Sequence, residues 1–407
     1  MKKMLLPAAL LLAGIGLMAA SLDSGLPDGY WDAPVAGGEA SPHDWTGLEA
    51  NLRPEACAQC HREQFDAWKD SRHAAAYSPG MAGQFAANGH AWANNCLQCH
   101  APLAEQLYRS EQGMTASVKT LLQHRGEQRA GFSADADLDS AQAKLPLRHA
   151  GVTCATCHVR GWQRNGPPQR GTGAVGHVGT AAHGGFQATR DFERSGFCAS
   201  CHQFPQSMAI NGKPLENTVE EWKQSRFAEE GVHCQQCHMP DRQHLFKGIH
   251  DKQTTLGGLD ISVAAQGEGA TLTLTSSRIG HAFPTYVTPR ITVLAEALSA
   301  SGGVLANRYW QIGREVEYDD GWQESMDSRL MPGESREFFS GEPPEGTATM
   351  RFSLSVVPDH FYKGVYRSLL DNDPDTVSRA HLQKALADAD ANDYMLFTKE
   401  LKLTPSR

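Results

Sequence analysis

The sequence predicts an α + β protein in two unlike parts, and three observations predict it. Between Cys57 and His238 the chain repeats a C-x-x-C-H pattern five times, set among short helix-like runs and glycine-rich loops. From Leu256 onward it changes to short apolar–polar alternations separated by glycine turns, the period of half-buried strands. Two helix-like runs, near His360 to Leu370 and Asp375 to Ala391, then precede a last strand-like run from Tyr394 to Leu403. The expected segments are therefore 1–21, 22–51, 52–253, 254–358 and 359–407.

The first segment reads as an export signal. Lys2 and Lys3 precede an apolar run from Leu5 to Ala20, followed by small residues at Ala19, Ala20 and Ser21. Leu17 and Met18 occupy positions where cleavage wants a small side chain, so a cleaved signal and a retained membrane anchor both stay open. Residues 22–51, rich in Gly, Pro, Asp and Ala, read as a linker.

The five repeats are Cys57-x-x-Cys60-His61, Cys96-x-x-Cys99-His100, Cys154-x-x-Cys157-His158, Cys198-x-x-Cys201-His202 and Cys234-x-x-Cys237-His238. Two thiols three residues apart share one side of a helical turn. There they can form thioethers to the two vinyl groups of one porphyrin, and the next residue, His, falls under the iron. All ten cysteines are used in these motifs. Zinc sites pair two C-x-x-C units, and five is an odd number of half-sites. Five covalently bound haem c groups are the expected cofactors. Successive first cysteines are 39, 58, 44 and 36 residues apart. Such gaps exclude a strict repeat and keep consecutive haems close.

Five irons need up to ten axial ligands, and the motifs supply His61, His100, His158, His202 and His238. Thirteen further histidines are available. The choices for the opposite faces are His73, His183, His250 and His281, with the fifth from His124, His149, His90 or His177. His73 lies twelve residues after His61, about 18 Å along an unbroken helix. On that geometry it reaches a neighbouring haem rather than its own. His233 adjoins Cys234, and His43 and His381 lie in the linker and the last helix, so these three are set aside. The eleven methionines are alternative ligands.

Other segments are less telling. Phe65 and Trp68 share one face of a short helix after the first motif. Leu103 to Gln128 and Glu216 to Glu229 read as helices. The stretch with His90 and Trp92, and Gly161 to Gly185, read as free of regular structure. The strand-like runs are Leu259–Val263, Ala270–Thr275, Ile291–Leu298, Val304–Ile312, Ser335–Phe339 and Thr349–Val356. Their spacing suggests an antiparallel sandwich of immunoglobulin-like type. His281, beside Phe283-Pro284 on a loop of this part, is placed to plug into a haem face and pin the two parts together.

Around these residues the chain resembles the multihaem cytochrome c family, nearest the branch that includes the tetrahaem electron carrier working with hydroxylamine oxidoreductase. The similar features are the pattern around Trp68, Ser71 and His73, the stretches ending in His158 and His202, Cys234 to Asp241 with His244 to Asp251, and Gly280 to Thr285. In relatives the histidine matching His73 closes a haem iron. Relatives often carry Gly after the Pro-Thr pair, where this chain has Tyr286.

The formal net charge of −9 argues against nucleic acid as a partner and suits docking to a basic patch on a redox protein. The expected function is an exported, periplasmic or extracytoplasmic pentahaem carrier passing electrons between a donor and an acceptor through mainly bis-His haems. The alternative is an oxidoreductase that handles a small nitrogen or sulfur compound at one haem with an open axial position. No C-x-x-C-K motif is present.

Overall fold

The computed structural model describes residues 26–37, 45–123, 145–180, 182–318 and 321–403. The export segment and His43 and His124 lie outside the described residues.

The front half is built from short helices on three small cores. Helix Arg62–Trp68 buries Phe65 and Trp68, and the Trp68 indole N–H donates to Val152 O at 2.8 Å. The helix stops at Trp68, so His73 comes off a turn rather than a continuous helix. The longest helix, Pro79–His100, replaces the irregular stretch expected around His90 and Trp92. Ser78 caps it by accepting from Met81 N, and Pro79 occupies the first turn, where its missing N–H costs nothing. Gly89, at φ 82°, breaks its regularity. Its apolar face, including Met81, Phe85, Ala93 and Leu97, buries against Tyr108, Met114, Val118 and Leu121. The helix expected from Leu103 is shorter, Glu111–Gln123, preceded by a single turn at Ala104–Gln106. Between Glu216 and Glu229 two pieces form, Thr218–Lys223 and Arg226–Glu229.

The stretch Gly161 to Gly185 is not free of strands. β1 (Val159–Arg160), β2 (Gln163–Gly166), β3 (Gly176–Val178) and β4 (Phe186–Ala188) make a small sheet in the order β1-β2-β4-β3. Backbone pairing rather than side-chain pattern holds it, which is why the period was invisible. A hairpin of β5 (Ala209–Ile210) and β6 (Lys213–Pro214) turns through Asn211 and Gly212, both at positive φ.

The back half is two facing antiparallel sheets. One contains β7 (Asp260–Gln266), β8 (Gly269–Thr275) and β12 (Ser335–Phe339), in the order β12-β8-β7. The other contains β9 (Arg290–Ser299), β10 (Val304–Tyr318), β11 (Trp322–Asp327), β13 (Thr347–Val357) and β14 (Tyr394–Lys402), in the order β11-β10-β9-β13-β14. Alternate residues of β9 point inward, and Ile291, Val293, Phe352 and Leu354 meet Leu272, Leu274 and Phe338 in one core. Each such side chain contributes about 1.5–3 kcal/mol on leaving water.

Helices His360–Asp371 and Thr376–Ala391 are inserted between the paired strands β13 and β14. They lie against the front half. A Cβ at Gly83 would stand 2.9 Å from Leu382 Cγ, so glycine permits the close approach of helices Pro79–His100 and Thr376–Ala391. His381 is buried there and bonded to Val118 O at 2.8 Å. A second clamp is Arg314 of β10, which donates to Pro214 O, Ile210 O and Lys213 O of the β5–β6 hairpin at 2.5, 2.9 and 2.8 Å.

Candidate haem sites

Three motifs put their histidine at the end of a short helix, Cys154–His158, Ala199–His202 and Cys234–His238; His100 ends the long helix Pro79–His100, and His61 directly precedes Arg62–Trp68. In the four that end a helix the second ring nitrogen is fixed. Nδ1 of His100 bonds Ala76 O at 2.9 Å, that of His158 bonds Asn165 O at 2.8 Å, and that of His238 bonds Lys247 O at 2.6 Å. A carbonyl only accepts, so Nδ1 carries the proton and Nε2 keeps its lone pair. His202 does the same with Glu216 Oε1 at 2.8 Å. This is the arrangement expected behind a metal-binding imidazole.

Three motif histidines face a second histidine. Ring centroids are 6.2 Å apart for His202 and His73, 6.1 Å for His158 and His244, and 6.3 Å for His238 and His281. Two metal–nitrogen bonds of about 2 Å, plus the reach from nitrogen to ring centre, put centroids roughly 6 Å apart. The spacing therefore suits one iron between each pair. His61 has His183 close enough to depress its basicity, after the larger effect of burial. Three of the facing rings are oriented like the motif rings: Nδ1 of His183, His244 and His281 bonds Gly185 O, Arg242 O and Ala282 O at 2.9, 3.0 and 3.0 Å.

The electrostatics keep these rings neutral. Burial, with some help from His202, pushes His73 down to about 3. Burial, then His244, pushes His158 down to about 4. A neutral imidazole is the form that binds metal. His202 is the exception: burial pulls it down, but the bond and charge of Glu216 win and hold it up to about 9. His100 has exposed surface and yet is enclosed enough for burial to lower its pKa, as for a ring lining an internal hollow.

The remaining predicted residues go elsewhere. His250 turns its Nε2 to Asp359 Oδ1 at 2.9 Å rather than to a motif histidine. His149 is buried, stacked on Tyr77 with its Nε2 on Ser117 Oγ at 2.9 Å. His90 pairs with Glu111 at 2.6 Å, and His177 is exposed on β3. His124 lies outside the described residues. His244 was passed over in the sequence in favour of His250, six residues on. The two share one motif-like stretch; Asp241 and Arg242, at positive φ, turn the chain before His244, and Phe246, also at positive φ, turns it again before His250.

The loop carrying His281 is anchored to the front half. Glu221, 2% exposed, accepts from Ala282 N at 3.2 Å and Thr285 Oγ1 at 3.1 Å, and pairs with Arg329 at 2.8 Å. Tyr286 sits at φ 39°, a left-handed conformation that costs a tyrosine energy and that glycine would adopt freely.

Cysteines of different motifs approach one another. Cys57 neighbours Cys154, Cys99 neighbours Cys201, and Cys198 neighbours Cys234. Close to these, Arg160 Nη2 and Arg164 Nη1 are buried with no hydrogen-bond partner. Arg160 bears on Cys157 and Arg164 on Cys57. An orphaned guanidinium N–H suits a haem propionate, so the residues present fit the group. Haem held there by the motif cysteines and histidines would supply a one-electron iron centre.

A family model described as cytochrome c554 and c-prime matches residues 56–126, which span the first two motifs. No curated protein matches the chain. Among solved structures the chain is similar to a penta-haem cytochrome c552 from Thermochromatium tepidum, with a TM-score of 0.55 and 18% identity over 88% of this chain and 100% of that one. At that identity the likeness speaks for the fold. The match over the first two motifs and the shared fold support a multihaem c-type cytochrome family.

Proposed function

We propose that this protein is an exported pentahaem cytochrome that passes electrons between redox partners through closely spaced, mainly bis-His haems. The observation that carries the reading is the facing of motif histidines by second histidines at 6.1–6.3 Å. In this assignment His73 serves the iron of His202, His244 that of His158, His281 that of His238, and His183 that of His61. The contacts between thiols of different motifs support short hops between neighbouring haems. Residues 52–253 form the haem-bearing unit, 254–358 the sandwich except for its last strand, and 359–407 a C-terminal unit of two helices and β14, the strand that completes the sandwich. The sandwich is immunoglobulin-like on its strand order: β7, β8 and β12 stand as strands A, B and E, facing β9 to β11 with β13 and β14 as C, C′, C″, F and G. Residues 1–21 direct export; no helix among the described residues is long and apolar enough to cross a membrane.

Mass spectrometry of the denatured protein tests the cofactor count, and five retained haem masses are expected. Free thiols in their place overturn it.

One observation favours a second reading. Among the described residues no histidine faces His100 in the way His73 faces His202, and Tyr362 lies near Cys96. An iron open on that side could take a small nitrogen or sulfur compound. A high-spin signal in the oxidised protein that disappears on adding cyanide or hydroxylamine supports this reading. A wholly low-spin spectrum overturns it.

A further inference from the structure

The motif histidines with a defined Nδ1 partner are of two kinds. His100, His158 and His238 donate to neutral peptide oxygens, whereas His202 donates to the carboxylate of Glu216. A charged acceptor draws the Nδ1 proton harder and leaves Nε2 a stronger donor. A stronger axial donor favours the oxidised over the reduced metal.

The contact is built rather than incidental. The β5–β6 hairpin folds the chain back on itself, so that Glu216, fourteen residues on, returns beside His202. Phe204 N donates to Glu216 O at 2.9 Å. Gln203 braces the return on both sides, donating to Asn217 Oδ1 at 3.0 Å and accepting from Glu220 N at 3.1 Å.

The placement of the fourth motif gives the contact weight. Its Cys201 lies beside Cys99 of the second motif, and its Cys198 beside Cys234 of the fifth. Cys157 of the third motif lies within electrostatic reach of both Cys198 and Cys201. The first motif joins through the Cys57–Cys154 contact. The sites thus form a fork with the fourth motif at the branch.

We propose that Glu216 lowers the reduction potential of the haem held by His202, and so controls how electrons divide at the branch between the second and fifth sites. The proposal rests on the pentahaem reading above. An electron reaching the branch leaves the donating centre oxidised and the branch reduced by one. No bond breaks, and the proton stays between His202 and Glu216.

The test is a potentiometric titration of the holoprotein, followed optically and by EPR. E216Q keeps the size and the acceptor oxygen but removes the charge. It is expected to raise one of the one-electron steps about tenfold in equilibrium constant, about 60 mV, with E216D staying near the parent. A superimposable E216Q curve overturns the proposal, as does an equal shift of every step. Should E216Q not accumulate, Q203A, which loosens the brace, is expected to raise the same step by less; no shift there overturns the proposal too. Failure of the pentahaem reading is seen separately, as fewer than five haem masses in the parent protein.

Discussion

At the scale of single residues, the two nitrogens of a histidine decide its role. Where Nδ1 is spent on a carbonyl, Nε2 is free for metal, as in His244; where Nε2 is spent on a carboxylate, as in His250, the ring is already committed. The expected outcome of His244→Ala is a new high-spin fraction of about one iron in five, read by EPR. His250→Ala is expected to leave the spin state of the parent unchanged. Reversed results would exchange the two assignments. The five C-x-x-C-H motifs are legible in the sequence because attachment to one porphyrin would demand a fixed local spacing. The choice between His244 and His250 is not, because non-glycine residues at positive φ, Asp241, Arg242 and Phe246, turn the chain between motif and ligand. Tertiary contacts force those conformations, and local propensity opposes them.

At the scale of elements, the strands of the back half were legible from their alternation, and the two C-terminal helices from their period. Trp322–Asp327 was missed, since as an edge strand it shows little inward-pointing apolar pattern. What the sequence hid was the joinery. Glu221 on Thr218–Lys223 grips the His281 loop and Arg329 together. Glu221→Ala is expected to cost about 1–3 kcal/mol by removing one of the two carboxylates that pair with Arg329 and leaving Ala282 N without its acceptor, measured by denaturant unfolding, and to loosen His281 enough to add high-spin signal. Gly83→Val places a branched side chain against Leu382 and His381. It is expected to cost about 1–3 kcal/mol, read as a lower unfolding midpoint.

At the scale of the whole molecule, partly buried ion pairs around the junction of the halves set the response to acid. Burial alone would raise Asp327, but hydrogen bonds from Arg329 and Lys213 outweigh it and hold the carboxyl well below its ordinary range. Asp359 is held low in the same way, against its burial, by His250. A carboxylate depressed in the fold binds its proton more readily when unfolded. Its contribution is therefore complete above the unfolded value of about 3.9 and is lost as pH falls towards the folded one. The denaturant midpoint is expected to change little from these groups between about pH 5 and 7 and to fall below about pH 4. Asp327→Asn is expected to flatten that fall.

The splice of two helices between β13 and β14 ties two events together. The helix Thr376–Ala391 is held at its far end only once β14 has paired with β13, so closing the sheet also pins the helix that lies over Pro79–His100, which bears Cys96 and Cys99. A polypeptide cut short after Val357 would lack both helices and β14, and would leave Pro79–His100 bare along the face where Gly83 meets Leu382.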